Sequence, residues 1–92
     1  MLIKVRAFAS FREILGRERE LDMAEGSKVE DLLAELCMSS MRFREAAFDD
    51  AGLLRDYVLL MINQKRIDPQ QGLQTELQEG DEVAIFPPVA GG

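Results

Sequence analysis

A single amphipathic helix lies between segments that alternate like β-strands, and this order restricts the folds open to the chain. Ser27 and Glu30 have the spacing of a capping box, which predicts the start of a helix. The apolar residues that follow recur on one helical face, and they are Val29, Leu32, Leu33 and Leu36. Strands before and after one dominant helix indicate an α+β fold rather than a repeated βαβ unit.

Five segments have strand patterns, two before the main helix and three after it. A helical turn or tight loop is predicted near residues 10–16, and a second, shorter helix over residues 41–48. With 92 residues the chain has the length of one domain, which we place at residues 1–86, followed by an extended tail at 87–92. The predicted strands are residues 2–8, 17–23, 57–62, 66–67 and 82–86.

The charge of the chain excludes several classes of partner. Seventeen acidic residues against eleven basic ones give a net charge of -6, and no basic stripe suited to nucleic acid is present. The longest apolar run, residues 57–62, is far shorter than the roughly 18 residues that a membrane span needs. Because residues 1–5 also lack the pattern of a secretory signal, we expect a cytoplasmic protein without membrane contact.

The residue types present argue against chemistry by side chains. The sequence contains no histidine, which is the commonest metal ligand and general base, and its one cysteine, Cys37, cannot form an internal disulfide. Neither a metal site nor a nucleophilic triad is predicted. If the protein takes part in a reaction, another group must carry the chemistry.

The carboxyl terminus is the best candidate for that group. Pro87 and Pro88 cannot donate to a sheet ladder, so strand pairing must stop at Phe86, and the prolines favour an extended tail. Six residues reach roughly 20 Å when extended. Gly91 and Gly92 leave the terminal carboxylate free of side chains, as threading a narrow channel requires. An ordinary frayed terminus is the alternative interpretation.

Four segments resemble the small subunit of molybdopterin synthase, a sulfur-carrier family. The most specific is Gly80-Asp81-Glu82-Val83-Ala84-Ile85-Phe86-Pro87-Pro88-Val89-Ala90-Gly91-Gly92, which is similar to that family's C-terminus. Residues 8–16 resemble its first loop, 27–33 the start of its main helix, and 62–64 its step from strand to turn. Residues 38–56 are poorly constrained by this resemblance.

The resemblance implies a ubiquitin-like β-grasp fold, with a mixed sheet of about five strands packed on one main helix. It also implies that an ATP-dependent activating enzyme adenylates the carboxylate of Gly92, which then becomes a thiocarboxylate, a 1-thioglycine. The tail would enter the large subunit of molybdopterin synthase and donate sulfur to a pyranopterin precursor. Gly91, which has no side chain, would keep the tail narrow next to Gly92. The chain itself would bind no cofactor and would catalyse nothing alone, since ATP is used by the activating partner.

The resemblance, combined with strand parity, implies where those partners bind. Phe8 and Phe86 fall on the face opposite Val5 and Val83, and in the resembling family that face meets the partners. We therefore expect both rings to be exposed in the free protein, although ordinary packing beneath a loop is the alternative. The tail residues expected to contact partners are Pro87, Pro88, Val89 and Ala90.

Two arginines are further candidates for this surface. Arg12 is predicted to pair with acidic groups of the activating enzyme, and a solvated loop arginine is the alternative. Arg66 departs from the resemblance, because some relatives are expected to have an apolar contact residue there.

Three other functions fit the same sequence. One is the sulfur carrier of thiamin biosynthesis, whose members also end in Gly-Gly but are generally shorter. Another is a ubiquitin-like modifier joined to other proteins through Gly92. The third is a β-grasp interaction module with an inert tail.

Overall fold

The structure, a computed structural model, describes residues 1–56, 58–68 and 71–87. No helix in these ranges is both long enough and apolar enough to cross a membrane. The elements are β1 (Leu2–Ala7), α1 (Ser10–Leu15), β2 (Glu18–Asp22), α2 (Val29–Ser39), α3 (Met41–Ala47), β3 (Leu59–Ile62), β4 (Lys65–Arg66), a 3₁₀ turn (Gly72–Gln74) and β5 (Glu82–Phe86).

The strands form one mixed sheet with the order β2-β1-β5-β3-β4. The first and last strands, β1 and β5, are parallel neighbours at its centre, and the other pairs are antiparallel. This is the β-grasp arrangement that the resemblance implied, with five strands as expected. The parallel pair brings the end of β1 level with the end of β5, where the C-terminal segment begins.

The core lies between the sheet and the helices and is made only of hydrophobic side chains among the described residues. The strands β1 and β5 contribute alternate positions, as the two-residue period predicted, and α2 contributes the predicted apolar face. Phe11 of α1 and Phe43 of α3 meet edge to face, with ring centroids 5.3 Å apart. The sheet and α2 together bury Ile3, Val5, Ala7, Leu60, Val83, Ile85, Val29, Leu32, Leu33 and Leu36.

The main helix begins one residue later than its capping-box spacing predicted. Lys28, not Ser27, is the N-cap, and the carboxylate of Asp31 accepts a hydrogen bond from the Lys28 amide at 2.8 Å. Residues 27–28 are held in an extended bridge, in which the Leu77 amide donates to the Ser27 carbonyl at 2.8 Å. Because this pairing is non-local, local capping rules could not anticipate it.

The short strand β4 also begins one residue earlier than predicted. Asn63 and Gln64 have φ values of 50° and 70°, as the central residues of a tight type I′ hairpin do. The chain therefore reverses within two residues, and Lys65 pairs with Ile62. The second helix predicted over residues 41–48 is confirmed as α3, whose N-cap is Ser40, the acceptor of a side-chain hydrogen bond from the Phe43 amide.

Replacing Leu36 with alanine tests the packing of α2 on the sheet. Leu36 is fully buried, so Leu36→Ala should lower the free energy of unfolding by about 2–5 kcal/mol. The matched control is Met38→Ala on the same helix, where the side chain is 86% exposed and the change should stay within roughly 0.5 kcal/mol. Urea unfolding measures both. Equal effects of the two substitutions would contradict this packing.

Candidate functional site

The sheet has a second face, directed away from the core, which we call the open face. Its residues alternate with the core positions along β1, β3 and β5, and they are half-buried or exposed. Strand register sets Arg6 beside Ala84, Ala84 beside Met61, and Met61 beside Arg66. The open face comprises Lys4, Arg6, Phe8, Leu59, Met61, Arg66, Glu82, Ala84 and Phe86.

Two stacked rings occupy the end of the open face where the C-terminal segment begins. Phe8 and Phe86 lie with centroids 4.2 Å apart and ring planes within 9° of parallel. The Phe8 amide donates to the Ile85 carbonyl at 3.2 Å, which holds the two strand ends side by side. The prediction that both rings are exposed is wrong in degree, because each ring covers the other and both are half-buried. Strand parity was right about their face.

Two guanidinium groups lie over Phe8. The Cζ atoms of Arg6 and Arg12 are 5.5 and 5.6 Å from the ring centroid, within the range of cation–π attraction. Arg12 also donates from Nε to the Ala7 carbonyl at 3.3 Å, and Arg6 is 3.3 Å from the Glu82 carboxylate. Arg12 is therefore held against the ring rather than freely solvated. Its pairing with an acidic partner group stays a prediction.

Arg6 was not identified from the sequence as a neighbour of Phe8 on the open face. Strand parity places Arg6 on the same face as Phe8, which is two residues away, so the sequence did indicate the face of Arg6. What parity could not give is the position of Glu82, which comes from the parallel neighbour β5 and pairs with Arg6.

A strained turn positions Phe8 and Arg12. Ala9 has φ 50° and ψ -129°, and the Phe11 amide donates to the Phe8 carbonyl at 3.1 Å across it. This is the geometry of a type II′ turn, whose first central position is normally glycine. The turn ends β1 at the ring stack and starts α1, and this path brings Arg12 back over Phe8.

Most of the tail predicted from the sequence lies outside the residues that the structure describes. Pro87 is described and is half-buried directly after Phe86. Pro88, Val89, Ala90, Gly91 and Gly92 lie outside the described residues, so their roles stay predictions. The boundary that we predicted between residues 86 and 87 is likewise untested.

Other polar features of the described residues do not form a reaction centre. No group of three or more Asp, Glu or Cys side chains is arranged to hold a metal ion within residues 1–56, 58–68 and 71–87. A hollow of about 270 Å³ lies beside α3, but its Asp49 carboxylate accepts from the amides of Ala51 and Leu53 and so closes a turn. Partial burial raises the pKa of the Cys37 thiol, which makes it a weaker nucleophile than a free cysteine.

Known proteins with the same fold and a related sequence are sulfur carriers and protein modifiers. Residues 5–92 match the model of the ThiS family. The molybdopterin synthase sulfur carrier subunit of Chlamydomonas reinhardtii is 36% identical over 93 residues, which cover 100% of both chains. The chain belongs to the ThiS family. The resemblance to sulfur carriers and the β-grasp fold predicted from it are therefore confirmed.

The sequence relatives of this chain and the solved structures that share its fold have different named roles. Small archaeal modifier protein 3 of Haloferax volcanii is 32% identical over 97 residues, covering 100% of both chains. The crystal structure of SAMP1 from the same organism has a TM-score of 0.87 at 29% identity, again over 100% of both chains. A complex of subunits 1 and 2 of the molybdopterin-converting factor from Helicobacter pylori 26695 shares the fold, with a TM-score of 0.62, 23% identity and 100% coverage of both chains.

The turn at Ala9 makes a testable prediction about stability. Ala9→Gly removes the strain of the positive φ but increases the freedom of the unfolded chain, so it should stabilise the protein by between zero and about 1 kcal/mol. Ala9→Val should destabilise it by about 1 kcal/mol or more, because a β-branched residue fits this region worst. Urea unfolding of both variants is the measurement. A large loss of stability in the glycine variant would show that the turn is not strained.

Proposed function

We propose that this chain is the sulfur-carrier subunit of molybdopterin synthase and that it works through the carboxylate of Gly92. The observation that carries the proposal is the place where β5, the last strand, ends. The last residue of β5, Phe86, belongs to the ring stack of the open face, and the residues that end in Gly91-Gly92 follow it directly. A partner that binds the open face is therefore positioned to receive the tail. The molybdopterin synthase carrier relative, 36% identical along its whole length, supports the same role.

The open face has the composition of a protein-binding surface. Aromatic rings, a methionine and arginines are the residues enriched at such interfaces, and here Phe8, Phe86 and Met61 supply apolar surface with Arg6 and Arg12 beside it. The rings already cover one face of each other, so little side-chain entropy is left to lose on binding. The proposed partners are the large synthase subunit and the ATP-dependent activating enzyme.

Activation of Gly92 requires chemistry that the partner supplies. A carboxylate oxygen attacks the α-phosphorus of ATP, and pyrophosphate leaves, which gives an acyl adenylate with AMP as a good leaving group. A sulfide equivalent from a sulfur donor then attacks the carbonyl carbon and displaces AMP, leaving the thiocarboxylate. Both steps need an enclosed site with acid–base groups. The chain contributes a terminus without side chains, on a tail of up to roughly 20 Å, and no histidine.

Transfer of sulfur would occur in the large subunit. The thiocarboxylate sulfur forms a bond to a carbon of the pyranopterin precursor as an oxygen substituent leaves that carbon and is protonated. Water then cleaves the resulting thioester at the Gly92 carbonyl and leaves the sulfur on the precursor. The carboxylate is regenerated and can be activated again. In this scheme the carrier binds no cofactor of its own.

Conjugation of Gly92 to other proteins is the second candidate. The modifier relative in Haloferax volcanii is 32% identical, and the SAMP1 structure has a TM-score of 0.87. The same acyl adenylate can react with a lysine amine instead of sulfide, which forms an isopeptide bond and releases AMP. The two candidates share activation and differ in the nucleophile that follows.

The first test of the carrier role is the intact mass of the chain. After incubation with ATP, the activating enzyme and a sulfur donor, we expect a mass gain of one oxygen-to-sulfur exchange, located at Gly92. A chain that lacks Gly91-Gly92 should show no gain, because it presents the Ala90 carboxylate on a shorter tail. Adding the large subunit and the pyranopterin precursor should then return the mass to its starting value.

Each other outcome points to a different role. Consumption of the thiocarboxylate only by thiamin-pathway enzymes would identify the other sulfur-carrier function. Higher-mass adducts joined to lysines would favour the modifier. No change, with an activating enzyme proven competent on another carrier, would leave an interaction module with an inert tail.

The ring stack should contribute to partner binding. Phe86→Asp puts a charge into the ring stack of the open face and should weaken binding of the large subunit by at least roughly tenfold, the loss typical of an aromatic anchor. Isothermal titration calorimetry measures the affinity. The variant should still melt cooperatively, since Phe86 lies outside the core. Unchanged affinity, or loss of cooperative melting, would contradict this role.

A further inference from the structure

Arg66 lies on the open face at the edge formed by β4. It pairs in register with Met61, which neighbours Ala84, which in turn neighbours Arg6. These four residues form one row across the sheet, with arginines at both ends and apolar side chains between them. Arg66 is exposed, and β4 is the last strand at this edge.

The charge of Arg66 is not neutralised within the described part of the chain. The other cations of the open face have acceptors: Lys4 is 3.3 Å from Glu18, and Arg6 is 3.3 Å from Glu82. Arg66 forms no ion pair and no side-chain hydrogen bond with residues 1–56, 58–68 or 71–87. Among the eleven basic side chains, all of which are described, only those of Lys4 and Arg6 form an ion pair, and both lie on the open face. Arg66 is therefore the one cation among the described open-face residues that has no carboxylate partner.

Covering the open face would bury this guanidinium group. An arginine that loses water needs an acceptor, and its planar donors fit a carboxylate through two parallel hydrogen bonds. Met61, the direct neighbour of Arg66, is half-buried and apolar, so a partner that contacts Met61 also reaches Arg66. A partner surface with only apolar groups at this position would leave the charge unpaired.

We propose that Arg66 selects the partner of the open face by binding a carboxylate side chain of the large synthase subunit, placed at the margin of that subunit's apolar contact surface. This inference rests on the proposed function, and it adds a charge requirement to it. A large subunit with an apolar or basic residue at this position is rejected, which gives the pair specificity beyond the fit of the ring stack.

The chain offers a matched control one residue away. Lys65 has the same charge, is exposed and lies on the same edge strand, but it pairs with Ile62 and therefore falls on the opposite face of the sheet. Lys65→Glu and Arg66→Glu change the net charge equally. A long-range electrostatic effect would act on both, whereas a direct contact acts only on Arg66.

The experiment measures the affinity of the purified large molybdopterin synthase subunit from the same organism for four chains, at low and high salt. These chains are the wild type, Arg66→Glu, Arg66→Leu and Lys65→Glu. We expect Arg66→Glu to weaken binding by more than roughly tenfold, Arg66→Leu by several-fold, and Lys65→Glu by less than about twofold. Thermal unfolding of each variant shows that the exposed substitutions leave the fold intact. A large-subunit variant with one interface carboxylate changed to arginine should restore binding to Arg66→Glu.

The results separate this inference from the function on which it rests. Equal losses in Lys65→Glu and Arg66→Glu, or no loss in either, would overturn the role of Arg66 while the wild-type binding upheld the carrier function. Loss of binding only to the activating enzyme would overturn the assignment to the large subunit. If the wild-type chain did not bind the large subunit at all, the proposed function would fail, and this inference with it.

Discussion

The parallel pairing of β1 with β5 is the interaction on which the rest of the structure depends. It joins the two ends of the chain at the centre of the sheet, and the Phe8 amide extends it by donating to the Ile85 carbonyl at 3.2 Å. At the other end, the Lys4 amide donates to the Asp81 carbonyl at 2.9 Å. Because β5 has neighbours on both sides, the start of the C-terminal segment is fixed by a rigid element rather than by a loop.

This pairing also explains why the candidate site lies at one end of the sheet. The parallel strands β1 and β5 end at the same level of the sheet. Phe8, which directly follows β1, therefore meets Phe86, the last residue of β5, in a ring stack. The turn at Ala9 then reverses the chain and returns Arg12 to the same ring. The rings, the cations and the end of β5 are brought together by one register, although Phe8 and Phe86 are far apart in the sequence.

The two faces of the sheet differ in burial and in composition. The core face buries only hydrophobic side chains among the described residues, and it supplies the stability of a domain of this size. The open face leaves apolar and cationic groups half-buried or exposed. The reacting group is the main-chain carboxylate in the proposed mechanism, so the chain needs no side-chain constellation, and its surface can be devoted to recognition.

The sequence by itself determined the strand and helix pattern, the fold class and the face on which Phe8 and Phe86 lie, because periods of two and about 3.6 residues follow from local backbone geometry. The prediction about the tail also came from the sequence, since it rests on the properties of single residues in Pro-Pro and Gly-Gly, and it stays a prediction. Only the tertiary structure decided the cap at Lys28, the half-burial of the two rings and the ion pair of Arg6 with Glu82. Each depends on a strand or loop distant in sequence, and periodicity carries no information about which distant segment arrives beside a residue, or in which register.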